Sequence, residues 1–237
     1  MTAGGTDDPL LTLSWRGCLF RVPDGVQPPK AGSLFFCRHL DVRAGERMLE
    51  IGAGLGLAAV LAARTGAVVV ATDVVPAAIE SIRANALLNG VSIDARLGDG
   101  WQPIGPDERF DLVCTNPPQM PTPPGRERDD AEAAADNGGI DGWSLLDTVI
   151  AGAAAHLNPG GRLVFSIFEF LGVKTAHAKV EAAGLVPRVV AHETQSFPRI
   201  GYERIEHLRA VDREAVLPAA GLPRTVERYI IEGRRAG

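Results

Sequence analysis

The stretch LEIGAGLG, residues 49–56, constrains this chain most, because it sits between an apolar strand-like run and an apolar segment of helical period. Its alternate glycines, Gly52, Gly54 and Gly56, let the backbone turn tightly, and with no side chains in the way a ligand can reach the strand end and the first helical N–H groups. That is a nucleotide-type pocket. The same pattern continues along the chain, with strands predicted at 47–52, 67–73, 93–98, 109–115 and 161–168 and helices at 56–65, 76–90, 142–157 and 172–183. Alternation of this kind gives an α/β, doubly wound, mostly parallel sheet covered on both faces, whose ligand crevice lies outside the C-terminal strand ends. Towards the tail, LVPRVVAHET and VERYIIEG read as strands, whereas YERIEHLRAVDREA between them fits either helix or strand.

Strand-end carboxylates extend the pocket. Seventeen residues beyond Gly56, VVVATD ends at Asp73, where a carboxylate accepts both ribose hydroxyls of an adenosine. A dinucleotide fingerprint asks for glycine or alanine three positions after the second glycine, but Leu57 stands there, so the GxGxG spacing favours S-adenosyl-L-methionine. Glu50, on the last turn of the first strand, suits the cofactor's ammonium group. In RLGDGWQP, Asp99 is placed to accept from the adenine amino group, and Trp101 offers a stacking face.

A different question is raised by TNPPQMP, residues 115–121, where a buried strand has to stop. Neither Pro117 nor Pro118 can donate to a sheet ladder, so the strand ends on the polar Asn116 and a rigid turn. Next comes the low-complexity stretch PTPPGRERDDAEAAADNGG, residues 121–139, which reads as a long loop beside the crevice, with Arg126 or Arg128 as candidate carboxylate-binding lid residues.

Composition narrows the partners. Against 24 basic residues stand 29 acidic ones, for a formal charge of −5, and no long basic run marks a phosphate-tracking surface, which weighs against nucleic acid. The three cysteines, Cys18, Cys37 and Cys114, form neither a disulfide framework nor a metal site, and no residue set has zinc spacing. No export signal or membrane-spanning stretch is evident, so a cytoplasmic protein without membrane contact is expected. The 237 residues suit one domain at 46–237, with residues 1–45 as an arm covering the active site.

With these motifs in place, residues 47–168 resemble the class I S-adenosylmethionine-dependent methyltransferases. LEIGAGLG, ATDVVPAAIESIRANALLNG, GD and FDLVCTNPP look like the NPP-motif branch, which methylates planar nitrogens, and GGIDGWSLLDTVIAGAAAHLNPGGRLVF is most similar to the glutamine methyltransferases within it. The resemblance implies a Rossmann-like, seven-stranded sheet with its last strand antiparallel. It assigns cofactor binding to Glu50, Gly52, Ala53, Gly54, Asp73, Val74, Asp99, Gly100 and Trp101, together with Asn116. Asn116 and the Pro117 carbonyl become acceptors for the target N–H groups, which aim the nitrogen lone pair at the methyl for in-line displacement.

This sequence departs from the branch at Gln119, where Tyr or Phe usually follows NPP. Gln119 therefore joins Asn116 and Pro117 in the expected catalytic set, and an aromatic platform is sought at Trp15, Phe35, Phe36, Trp101 or Trp143. Glu169 and His192, each just past a strand, are further substrate-binding candidates. A counterpart of the glutamine enzymes' N-terminal helical domain is not expected in residues 1–45. Together these points lead to the expectation of an N-methyltransferase acting on a small amine, amide or amino-acid-like metabolite. The alternatives are methylation of a nucleic-acid base or protein glutamine, and a non-catalytic cofactor-binding partner subunit; no oligomeric state is implied.

Overall fold

The protein was studied as a computed structural model that describes residues 11–126 and 136–237. Strands β1 (Leu11–Trp15) and β2 (Cys18–Val22) form an antiparallel hairpin, followed by helix α1 (Ala31–His39). Strands and helices then alternate: β3 (Arg47–Ile51), α2 (Leu57–Arg64), β4 (Val68–Asp73), α3 (Pro76–Leu88), β5 (Asp94–Leu97) and β6 (Phe110–Thr115). After the loop come α4 (Ser144–His156), β7 (Leu157–Phe168), a 3-10 turn (Glu169–Leu171), α5 (Val173–Ala182), β8 (Val186–Ser196), α6 (Arg199–Glu203), α7 (Ile205–Val211) and β9 (Thr225–Arg234).

The main sheet has seven strands in the order β5-β4-β3-β6-β7-β9-β8. All neighbours are parallel except around β9, which runs antiparallel to both β7 and β8. The mostly parallel sheet with an antiparallel last strand is thus present. The ambiguous tail segment contains the two short helices α6 and α7. Residues 158–160, left between the expected helix and strand, lie instead inside β7, where pairing jumps from Phe110↔Leu157 to Leu112↔Arg162 and the extra residues loop out of register.

Strand alternation sorts the core into two layers. Met48, Leu112, Cys114, Val164 and Ile230 pack on the side of α1, α2 and α3. Their neighbours Leu49, Val113, Phe165 and Ile231 face α4 and α5. The hairpin joins the first layer through α3. Asn85 and Asn89, one turn apart, act as a substitute strand: their Oδ1 atoms accept from the N–H groups of Arg21 (2.8 Å) and Leu19 (2.9 Å), while their Nδ2 atoms donate back to the same residues' carbonyls (3.1 and 2.6 Å). Among the described residues no helix is long and apolar enough to cross a membrane.

Candidate active site

The glycine turn leaves β3 and enters α2 under β4. The N–H groups of Gly52 and Ala53 both donate to the Thr72 carbonyl (2.9 and 3.0 Å). Gly54, at φ 53°, turns its N–H onto Asp73 Oδ2 (2.8 Å), and a side chain there would meet only open space, so the backbone itself faces the cavity. Gly56, at φ 82°, lets α2 cross close to α3, since an added Cβ would lie 3.1 Å from Ile82 Cγ1. As Gly56 has no side chain to cap α2, Glu50 takes that role by reaching across: its Oε2 accepts from Ala59 N–H at 2.8 Å.

Both carboxylates of this cradle are buried. Burial pushes the Glu50 pKa up to about 8, the Ala59 N–H partly offsets this, and the nearby Asp73 charge raises it again. Asp73 is raised by burial too, against the opposing N–H bonds of Val75, Gly54 and Val74. No cation of the described residues pairs with Glu50, although it lines a cavity of about 710 Å³. A buried carboxylate facing a cavity without a counter-charge matches the ammonium end of an amino-acid-like ligand.

The same cavity reaches the end of β6. Asn116 Oδ1 accepts from Ser166 Oγ (2.5 Å) and, more loosely, from Arg228 Nη1 (3.5 Å), while its Nδ2 faces Ser33 Oγ (3.4 Å). Arg228 can only donate, so this contact fixes which end of the Asn116 amide points towards it. Gln119, expected beside the reacting atoms, borders the cavity with its amide already committed. Its Oε1 accepts from Phe168 N–H (2.6 Å) and its Nε2 donates to the Ser166 carbonyl (3.3 Å), so it brackets the NPP turn onto β7.

Glu50, Gly52, Ala53, Gly54, Asp73, Val74, Asp99, Gly100, Asn116, Pro117 and Phe36 are brought together around this cavity. Other candidates stand elsewhere. Trp101 stacks on His156 (4.6 Å between centroids) and donates Nε1–H to the Thr148 carbonyl (2.9 Å), bracing α4 rather than offering a face to adenine. Phe35 is buried edge-on against His39, and Trp143 is buried in the core with Lys179 over its ring. Glu169 accepts from Glu227 N–H (3.4 Å), and His192 stacks on Tyr229 beside Glu227. None of these five lines the cavity. Arg128 lies outside the described residues.

Sequence reasoning missed Ser33, Ser166, Phe168 and Arg228. Ser166 and Phe168 share one face of β7, and Arg228 pairs directly opposite Phe168 on β9. Alternation along those strands was visible, but the register that joins them across the sheet was not.

Comparison with known proteins fits this geometry. Residues 27–124 match the family model "Methyltransferase small domain". The chain is 34% identical over 174 residues to the release factor glutamine methyltransferase of Gloeobacter violaceus, covering 66% of this chain and 59% of that one. It is 35% identical over 133 residues to the ribosomal protein uL3 glutamine methyltransferase of Bradyrhizobium diazoefficiens, covering 52% and 41%. A Methanocaldococcus jannaschii protein, provisionally named a protein N5-glutamine methyltransferase, is 29% identical over 76% of this chain and 91% of its own length. The chain thus spans about half the length of the bacterial relatives.

Among solved structures, the Thermus thermophilus 16S rRNA N2 G1207 methyltransferase, in complex with AdoMet and guanosine, superposes with a TM-score of 0.63 at 19% identity, covering 95% of this chain and 50% of that one. The E. cuniculi Mtq2–Trm112 complex, responsible for methylating the eRF1 termination factor, gives 0.61 at 19%, covering 90% and 99%. At such identities these two show the fold alone. The relatives correct one expectation: a small-molecule acceptor is not what they are named for, since they methylate glutamine in proteins. Cradle, sheet order and family match converge, and the chain belongs to the class I S-adenosylmethionine-dependent methyltransferases.

Proposed function

We propose that this protein transfers a methyl group from S-adenosylmethionine to the side-chain amide nitrogen of a glutamine in a protein of the translation machinery. The observation that carries this reading is the placement of Asn116 and Pro117 at the end of β6, in one cavity with the Glu50 and Asp73 cradle; the glutamine-modifying relatives supply the substrate class. Residues 46–237 serve as the catalytic domain and the preceding segment as its arm, of which Gly25 to Lys30 border the cavity. Three buried free thiols suit a reducing cytoplasm.

Glu50 would hold the cofactor's ammonium, Asp73 its ribose hydroxyls and Asp99 its adenine edge, with Val74 and Leu145 as apolar walls. When bound, the cofactor supplies an electrophilic methyl carbon on a cationic sulfur. The chain's own task is to aim a weak nucleophile. The Pro117 carbonyl, whose side-chain partner among the described residues is the long 3.5 Å contact from Gln119, accepts one N–H of the target amide, and Asn116 Oδ1 accepts the other. Held this way by Asn116 and Pro117, the target nitrogen would have its lone pair aimed at the methyl group the bound cofactor supplies, and the surplus N–H proton would pass to water.

A labelled-methyl assay on purified release factors, ribosomal proteins, RNA and small-molecule fractions tests the reading. Label is expected in protein, released by proteolysis as N5-methylglutamine; label confined to RNA or to small molecules would overturn it. Asn116→Ala should lower kcat by about 100-fold while leaving affinity for S-adenosylhomocysteine within about threefold. Equal losses in both would contradict its role.

A further inference from the structure

Arg228 is a buried cation at the acceptor end of the cavity, and its surroundings do not neutralise it. The residue is 8% exposed, and no carboxylate of the described residues pairs with it. The charge that most favours its ionised form, Glu193, is itself engaged by Arg38 at 2.7 Å. Burial lowers the guanidinium pKa to about 10, so it stays cationic at neutral pH. A buried charge left without a counter-charge is unfavourable, so a fold that keeps one needs a reason.

Its position is tightly built. The guanidinium lies over the Phe168 ring, 3.8 Å from the centroid, and Gly32 leaves the space it fills: a Cβ there would come within 2.7 Å of Arg228 Cζ. Nε donates to Gln195 Oε1 (3.2 Å), and Nη1 donates to Ser166 Oγ (3.2 Å) and Asn116 Oδ1 (3.5 Å). Nη2 makes no hydrogen bond among the described residues, and Arg228 is one of the residues lining the cavity, so the guanidinium keeps donor capacity for a ligand there.

This places a donor, the guanidinium edge, next to an acceptor, Asn116 Oδ1. A primary carboxamide presents the complement, an oxygen acceptor beside an N–H donor. An ammonium offers donors only and would meet a second cation, and a hydrocarbon offers neither. Resting on the glutamine reading above, we propose that Arg228 is a substrate-binding residue that donates to the carbonyl oxygen of the target carboxamide. Asn116 and Pro117 hold the nitrogen of that same group, so Arg228 selects glutamine against amine and apolar side chains.

The test uses the full chain saturated with S-adenosylhomocysteine and two probes, N-acetylglutamine N′-methylamide and its norleucine counterpart. The glutamine probe is expected to shift the Arg228 guanidinium NMR resonance, identified by its loss in Arg228→Lys, and the norleucine probe is not. Wild type should prefer the glutamine probe by about 10- to 100-fold, and Arg228→Met should reduce that preference below about threefold. In both variants S-adenosylhomocysteine affinity, within about threefold of wild type, reports that the fold is intact. No perturbation by the glutamine probe, equal perturbation by both, or undiminished preference in Arg228→Met overturns the proposal. Should Arg228→Met fail to fold, the resonance in the wild type decides alone. If carboxamide recognition depends on Arg228 but no protein glutamine is methylated, the functional reading fails and the inference stands.

Discussion

At the scale of single residues, Glu50 holds two assignments in tension. It caps α2, which needs only an oxygen acceptor, and it faces the cavity as a carboxylate, which burial disfavours. With a folded pKa near 8, above its ordinary 4.5, the free protein favours the neutral form; stability from this group is complete below pH 4.5 and lost as pH rises through about 8. Glu50→Gln keeps the cap and removes the charge, so it should stabilise the free protein on the order of 2–4 kcal/mol at pH 9 and very little at pH 4.5. Denaturant unfolding at the two pH values measures this, and an equal effect at both would remove the assignment. Ligand binding reverses the preference: an ammonium beside Glu50 favours the carboxylate, so binding S-adenosylhomocysteine at pH 7 should release a proton. Calorimetric enthalpies that vary with the buffer's ionisation heat would show it, and Glu50→Gln should abolish the variation. Position along a strand was enough to read Glu50 and Asp73 from the chain. It was not enough for Gln119 or Trp101, whose partners, β7 and α4, come close only through the packing of distant segments.

At the scale of elements, Asn85 on α3 and Asn89 at its C-terminal cap decide where the hairpin lies. Asn85 is fully buried, and its side chain serves Arg21 N–H, the Arg21 carbonyl and the Leu55 carbonyl at the glycine turn. Asn85→Ala leaves those groups without their partner and should destabilise the protein by about 2–3 kcal/mol. It should also raise KM for the proposed protein substrate more than it lowers kcat, because the hairpin leads directly into the Gly25–Lys30 segment that lines the cavity. Urea unfolding and initial-rate kinetics check both parts. Period and turn chemistry made the alternating strands and helices from β3 to α5 readable to within a few residues, apart from the early start of β7. The stretch at 199–211 was not readable, since a pair of short helices carries too few turns to separate helical from strand periodicity. The hairpin's docking was equally hidden, because two asparagines at helical spacing look like solvent-facing side chains until a strand edge meets them.

At the scale of the whole molecule, β9 holds the C-terminal part of the sheet together. It lies between β7 and β8 and pairs with both, and its Ile230 and Ile231 enter opposite core layers. Removing residues 225–237 is expected to abolish cooperative unfolding and expose apolar surface to a fluorescent dye, whereas a sharp transition near the intact midpoint would contradict that role. The order of synthesis adds a consequence. The glycine cradle and everything from β3 to α3 leave the ribosome well before the strand bearing Arg228, which must slot in between β7 and β8. A nascent chain halted before β9 lacks Arg228 beside Asn116, and under the proposal above it would not discriminate among acceptors until that strand is in place.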